Sequence, residues 1–129
     1  MNLFATTLNP QRKDDAMSLD VYLCPNKCPH CGRSDEGFSA NITHNLGRMA
    51  SSAGLYEYVW RPEEVEITKA GELIHALRVG ITCMENNPEV FKKLDDPNGW
   101  GTYEQFLPWL KKYLNACTQF PEAEILISR

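Results

Sequence analysis

The sequence predicts a small α+β domain: a three-stranded, mainly antiparallel sheet with helices packed on one face, in the order β-β-α-α-α-β. Three observations predict it. Two runs near the start and one at the end alternate apolar with polar residues, the period of a strand with one buried face. Between them, apolar residues recur at three- and four-residue spacing, the period of amphipathic helices. Strands at both ends with helices between them close most simply when the helices cover one face of a single sheet.

Met1 to Ala16 has no clean period, and Asn9-Pro10 followed by Gln11-Arg12-Lys13-Asp14-Asp15 reads as a polar connector. Residues 1–16 are therefore expected to form a flexible N-terminal arm, and residues 17–129 a single domain. In the first strand Leu19, Val21 and Leu23 alternate with Asp20, Tyr22 and Cys24. In the second, Phe38, Ala40 and Ile42 alternate with Ser39, Asn41 and Thr43. The turn-rich stretch between them predicts an antiparallel hairpin. Thr43 is placed to cap a helix carrying Leu46, Met49, Ala50 and Ala53 on one face, with Gly54 as its stop. Leu55 to Trp60 is aromatic and reads as irregular chain, closed by Pro62. Thr68 opens a second helix with the stripe Ala70, Leu73, Ile74, Leu77, Ile81 and Met84, ending at Asn86-Asn87-Pro88. Val90, Phe91 and Leu94 mark a short third helix. The last helix has the sharpest start, a capping box of Thr102 and Gln105. Phe106, Leu107, Leu110, Tyr113, Leu114 and Cys117 follow on one face. Pro108 lies too deep for the first turn and predicts a bend or a frayed start. After Pro121, Ala123, Ile125 and Ile127 alternate with Glu124, Leu126 and Ser128 as the closing strand.

Composition narrows the function classes. At 129 residues the chain holds one core, and 43% hydrophobic with 23% charged residues argues against disorder. No apolar run reaches the roughly 20 residues that span a bilayer, and the N-terminus lacks the apolar block of a secretory signal. A net charge of −4 and a pI near 5.3 disfavour a nucleic-acid partner; a zinc-stabilised nucleic-acid binder is a third reading, which requires a basic face. Five cysteines, three of them between positions 24 and 31, suit a metal in a reducing compartment better than a disulfide framework. The expectation is a cytoplasmic protein without membrane contact.

Cys28-Pro29-His30-Cys31-Gly32 is the string richest in chemistry. Two thiolates two residues apart in a Pro/Gly turn aim at one ion, and amides of the turn offset their charge. Cys24 supplies a third sulfur. The expected metal ligands are Cys24, Cys28 and Cys31 around a structural Zn²⁺; free oxidisable thiols and a disulfide are the other readings. His44 follows Cys31 at a finger-like spacing, but an extended run over 37–43 carries it roughly 20 Å away at about 3.3 Å per residue. His30, Cys83, Cys117 or a water is left to complete the shell. The Cys24/Cys28/Cys31 spacing also suits a four-iron cluster for radical chemistry, which needs a surrounding barrel that this order of elements does not build. No acidic residue sits beside the cysteines as in a hydrolytic or deaminase site, so the zinc is expected to be structural.

Asn41-Ile42-Thr43-His44-Asn45-Leu46 crowds polar side chains at a strand-to-helix junction, where free amides and the helix dipole favour an anion and His44 is a donor or base. Local capping by Thr43, with Asn41 and Asn45 satisfying nearby backbone, is the plainer reading. Tyr56 to Glu64 and Asn98 to Glu104 are aromatic-rich loops. Trp60 with Arg61, and Trp100 between two glycines beside Tyr103, can form a stacking platform or pack the core or rim. The candidate ligand-binding residues are Asn41, His44, Trp60, Arg61, Trp100 and Tyr103. No Ser/His/Asp or Cys/His arrangement can be read from residue order alone and no glycine-rich phosphate-loop fingerprint is present, so no catalytic residue is assigned. Glu63, Glu64, Glu66, Asp95 and Asp96 read as solvated surface.

Met17-Ser18-Leu19-Asp20-Val21-Tyr22-Leu23, Asn41-Ile42-Thr43-His44-Asn45-Leu46, Trp60-Arg61-Pro62-Glu63-Glu64, Asn98-Gly99-Trp100-Gly101-Thr102-Tyr103-Glu104 and Ile127-Ser128-Arg129 together resemble a family of small proteins of tailed phages and prophages. The resemblance spans about residues 17–129. It implies a phage-encoded protein acting in the host cytoplasm and brings no activity with it. Variation in that family between the first two strands implies that a metal is not its shared function, which directs attention to Asn41/His44 and Trp60/Trp100. The leading expectation is a non-catalytic accessory protein that binds a host or phage protein, such as a defence protein. The alternative is a nucleotide-like small-molecule binder or hydrolase that takes a small anionic ligand at Asn41, His44, Arg61 and Trp100.

Overall fold

Side-chain alternation along the first strand decides the layering. Leu19, Val21 and Leu23 are buried while Tyr22 between them is exposed, so one face of the sheet is core and the other is outside. A computed structural model describes residues 18–24 and 38–129. β1 (Ser18–Cys24) is the central strand, flanked by β2 (Phe38–Thr43) and β3 (Glu124–Ser128) in the order β2-β1-β3. Both pairings are antiparallel, from Ser18↔Thr43 to Leu23↔Phe38 on one side and from Asp20↔Ser128 to Cys24↔Glu124 on the other. The predicted α+β sheet is present, with its first and last strands side by side. The arm 1–16 and the positions of Cys28 and Cys31 lie outside the described residues.

Helices enter by different routes from those the spacing suggests. The Thr43 hydroxyl accepts the Asn45 N–H at 3.2 Å, yet the turn it starts is a 3-10 turn, His44–Leu46, which passes into α1 (Gly47–Ser52). α2 (Tyr56–Trp60) corrects the reading of that stretch as irregular. The Leu55 N–H returns to the Ala50 carbonyl at 2.8 Å, and five residues wind before Pro62. Barely more than one turn leaves no period to detect in a sequence. A 3-10 turn, Ala70–Leu73, precedes α3 (Ile74–Asn86). Glu72 reaches back to the N–H groups of Thr68 and Lys69 at 3.0 and 3.2 Å, which holds its carboxyl below the usual range. α4 (Pro88–Lys92) is short, and α5 (Tyr103–Gln119) is the longest helix among the described residues.

The predicted capping box opens α5: the Gln105 N–H donates to the Thr102 hydroxyl at 3.2 Å, and the Gln105 amide oxygen accepts the Thr102 N–H at 3.1 Å. The first turn is not frayed, and the helix runs unbroken past Pro108. A proline removes one backbone donor, and the box anchors the turn on which that loss falls. Leu73, Leu77, Ile81 and Met84 pack with Phe106, Leu110, Tyr113 and Cys117 over Leu19, Val21 and Leu23. Each large aliphatic side chain so buried stabilises the fold by about 1.5–3 kcal/mol. Among the described residues, no helix is long and apolar enough to cross a membrane.

Candidate functional site

The 3-10 turn after β2 is the hub of the polar residues. Thr43 ends β2 in an extended conformation, which turns the next three side chains toward different neighbours. One residue pair back, the Asn41 side chain crosses to β1 and donates to Asp20 Oδ1 at 2.7 Å, as their register allows. The His44 Nδ1 accepts the indole N–H of Trp60 at 2.8 Å. Asn45 Nδ2 donates to the backbone carbonyl of Trp100 at 2.9 Å. The turn therefore joins the sheet, α2 and the loop before α5.

The bond from Trp60 fixes the protonation of His44. An Nδ1 that accepts carries its lone pair there, so the neutral ring holds its proton on Nε2. Burial lowers the His44 pKa, against an opposing pull from Asp20. His44 thus offers an Nε2–H donor, and its basic nitrogen is occupied. Trp60 is 2% exposed; it stacks on Tyr56 with ring centroids 5.5 Å apart and meets Phe106 edge-on at 6.3 Å. Of the two readings of Trp60, platform or core, its burial corresponds to core.

Trp100 is the opposite case, with 66% of its surface exposed. Its loop is tied at every step. The Asp96 N–H donates to the Gly101 carbonyl at 2.9 Å, and Asp96 Oδ2 accepts the Asn98 N–H at 3.0 Å. Asp95 Oδ1 accepts the Tyr103 N–H at 2.7 Å, and Gln105 Oε1 accepts the Gly101 N–H at 3.0 Å. Gly101 has φ 118°, where side chains are strained, and a Cβ there would stand 3.2 Å from Asn45 Cβ and Thr43 Cγ2. Asp95 and Asp96, read from sequence as solvated surface, instead build this loop. Their acceptors are consumed by main-chain donors that no spacing rule connects to them.

The remaining candidates divide. Arg61 follows Trp60, and its Nη1 lies 3.2 Å from Glu64, so that carboxylate too is engaged. Tyr103 is 8% exposed, gives its hydroxyl to the Met84 carbonyl at 3.0 Å and lies under the Lys92 ammonium at 5.6 Å. It belongs to the packing of α5 on α3 and α4. Asn45, Tyr56 and Arg129 were not among the candidates, although each holds one in place; the Arg129 Nη1 donates to the Trp60 carbonyl at 2.8 Å. Long-range contacts from residues 16 to 69 positions apart leave no local trace.

Of the expected metal ligands only Cys24 is described; it ends β1 with a half-buried thiol that forms no disulfide among the described residues. Among the described residues no group of three or more His, Cys, Asp or Glu side chains is gathered for a metal. The register puts Thr43, and His44 after it, at the opposite end of the hairpin from Cys24. Cys117 is buried, which pushes its thiol up to about 12 and keeps it protonated. Comparison with family models, with curated proteins and with solved structures finds no match for this chain.

Proposed function

We propose that the protein is a non-catalytic, phage-encoded accessory protein of the host cytoplasm that binds a host or phage protein through Trp100. One observation carries the reading: a tryptophan two-thirds exposed on a loop whose backbone is held by Asp95, Asp96, Gln105 and Asn45. An exposed indole costs solvation, and a rigid loop spares the entropy of ordering it on binding; such side chains anchor interfaces. Cys24, Cys28 and Cys31 are proposed to hold a structural zinc beside the opposite end of the hairpin, expected as one zinc per chain by elemental analysis and lost in Cys28→Ser. The test of the binding reading compares the intact chain with Trp100→Ala as bait in host lysate. A stoichiometric partner kept by the first and lost by the second supports it. No such partner, or one indifferent to Trp100→Ala, sinks it.

A second reading takes a nucleotide-like anion against Trp100 and the Nε2–H of His44. The bond from Asn45 to the Trp100 carbonyl favours it, because that bond brings the two segments side by side. Titration calorimetry with nucleoside mono- and triphosphates decides it.

A further inference from the structure

β3 forms one edge of the sheet, and only part of that edge is covered. The Ile125 N–H donates to the Thr68 carbonyl at 3.0 Å and the Ala70 N–H to the Ala123 carbonyl at 2.9 Å, with Lys69 opposite Glu124. Before Thr68 the neighbouring chain stands away from the strand. The Thr68 N–H turns to the Glu72 carboxylate, and Glu66 takes a left-handed φ of 61° after the 3-10 turn Pro62–Val65. Backbone groups two residues apart on a strand face the same edge. The N–H and C=O of Ile127 therefore point away from β1, as the Ile125 N–H does. They have no backbone partner there among the described residues.

What they face is a groove of about 400 Å³ between β3 and the Pro62–Thr68 segment. Pro62, Ile67 and Ile127 give it apolar walls. Arg129 bridges one end, bonded to the Trp60 carbonyl at 2.8 Å and 2.9 Å from Glu63. Glu63 and Glu124 line the groove, and Glu64 and Glu66 lie beside it on the Pro62–Thr68 segment; Arg129 and Arg61 answer Glu63 and Glu64, and Glu66 makes no ion pair among the described residues. The other sheet edge is treated differently: the Asn41 carbonyl of β2 accepts the Trp109 indole N–H at 3.0 Å. An unpaired donor and acceptor on a strand edge accept extended main chain, and pockets beside them select its alternate side chains.

We propose that this groove binds an extended peptide segment of another protein. The segment adds as a fourth strand beside β3, with an apolar side chain against Pro62 and Ile67 and a basic one toward Glu66. This surface is separate from Trp100 and does not depend on it.

Selection of the full chain against a random library of N-acetylated heptapeptides tests the proposal. The expected winners alternate apolar residues with Lys or Arg and bind saturably by fluorescence polarisation. N-methylation of the amide that meets the Ile127 carbonyl weakens binding about tenfold or more, the loss of one or two hydrogen bonds, and methylation of the next amide does not. Ile127→Pro removes the edge donor without touching the ladder to β1, and weakens binding by a similar factor. Glu66→Lys, at an exposed position, lowers affinity for the basic winners several-fold at low salt and less at high salt. Trp100→Ala leaves their affinity unchanged. Three results overturn the proposal: no alternating peptide is selected, binding ignores N-methylation, or Trp100→Ala abolishes binding while Ile127→Pro and Glu66→Lys spare it.

Discussion

Gly80 is the tightest backbone approach to a side chain at any glycine of the described chain, and replacing it with alanine has an outcome opposite to helix propensity. Gly80 lies within α3 and is buried. A Cβ there would stand 2.4, 2.5 and 2.7 Å from Cγ, Cδ1 and Cδ2 of Leu55, itself 0% exposed. Carbon atoms rest at about 3.5–4.0 Å, so the methyl overlaps a whole side-chain branch by about an ångström. Propensity alone stabilises Gly→Ala in a helix interior by about 1 kcal/mol. Overpacking of this kind costs about 1–3 kcal/mol, and three simultaneous overlaps on an immobile leucine place it at the upper end. Gly80→Ala is thus expected to destabilise by about 1–2 kcal/mol. In a Leu55→Ala background, already about 2–5 kcal/mol less stable, the overlap is gone and the same change stabilises by about 1 kcal/mol. Urea denaturation of the four proteins of the cycle measures this as midpoint shifts at constant slope. Equal effects of Gly80→Ala in both backgrounds, or stabilisation in the intact protein, would refute the contact.

Three further outcomes follow from single atoms. The Tyr113 hydroxyl is buried without a hydrogen-bond partner among the described residues and its pKa is raised by that burial, so Tyr113→Phe is expected to stabilise by about 1 kcal/mol, seen as a Tm higher by about 3 °C. Because the folded pKa of His44 lies below its unfolded value, the unfolded chain takes up a proton first as pH falls. The stability from neutral His44 is complete above the unfolded value of about 6.5 and is lost as pH drops from there through the lowered folded value. Denaturation midpoints between pH 8 and 5 measure that loss, which His44→Gln should flatten, and nitrogen NMR at neutral pH should report the Nε2–H tautomer. Gly101→Ala forces a side chain to φ 118° against Thr43 and Asn45 and is expected to cost about 1–3 kcal/mol, with a change in Trp100 fluorescence as the loop detaches.

How far the fold and the site could be read in advance depended on the range of the interactions involved. Leu19/Val21/Leu23, the stripe from Leu73 to Met84 and the Thr102/Gln105 box act within one or two turns or one strand, and each is as its spacing predicts. α2 escaped notice because five residues carry no period. Asp95 and Asp96 looked like surface because a carboxylate's main-chain partners depend on how a loop closes, which glycines at 99 and 101 leave open until the fold decides it.

By itself, the sequence determined that strands bracket helices, which faces are apolar and where the last helix starts, since those follow from side-chain periodicity and local capping. Only the tertiary structure decided the fate of the two aromatic segments. Trp60 and Trp100 have the same side chain and both read from sequence as platform or core, yet one is sealed by His44, Tyr56 and Phe106 while the other is held through its backbone carbonyl and left in solvent. Burial is set by what the chain brings from far away, and no window along the sequence contains that information.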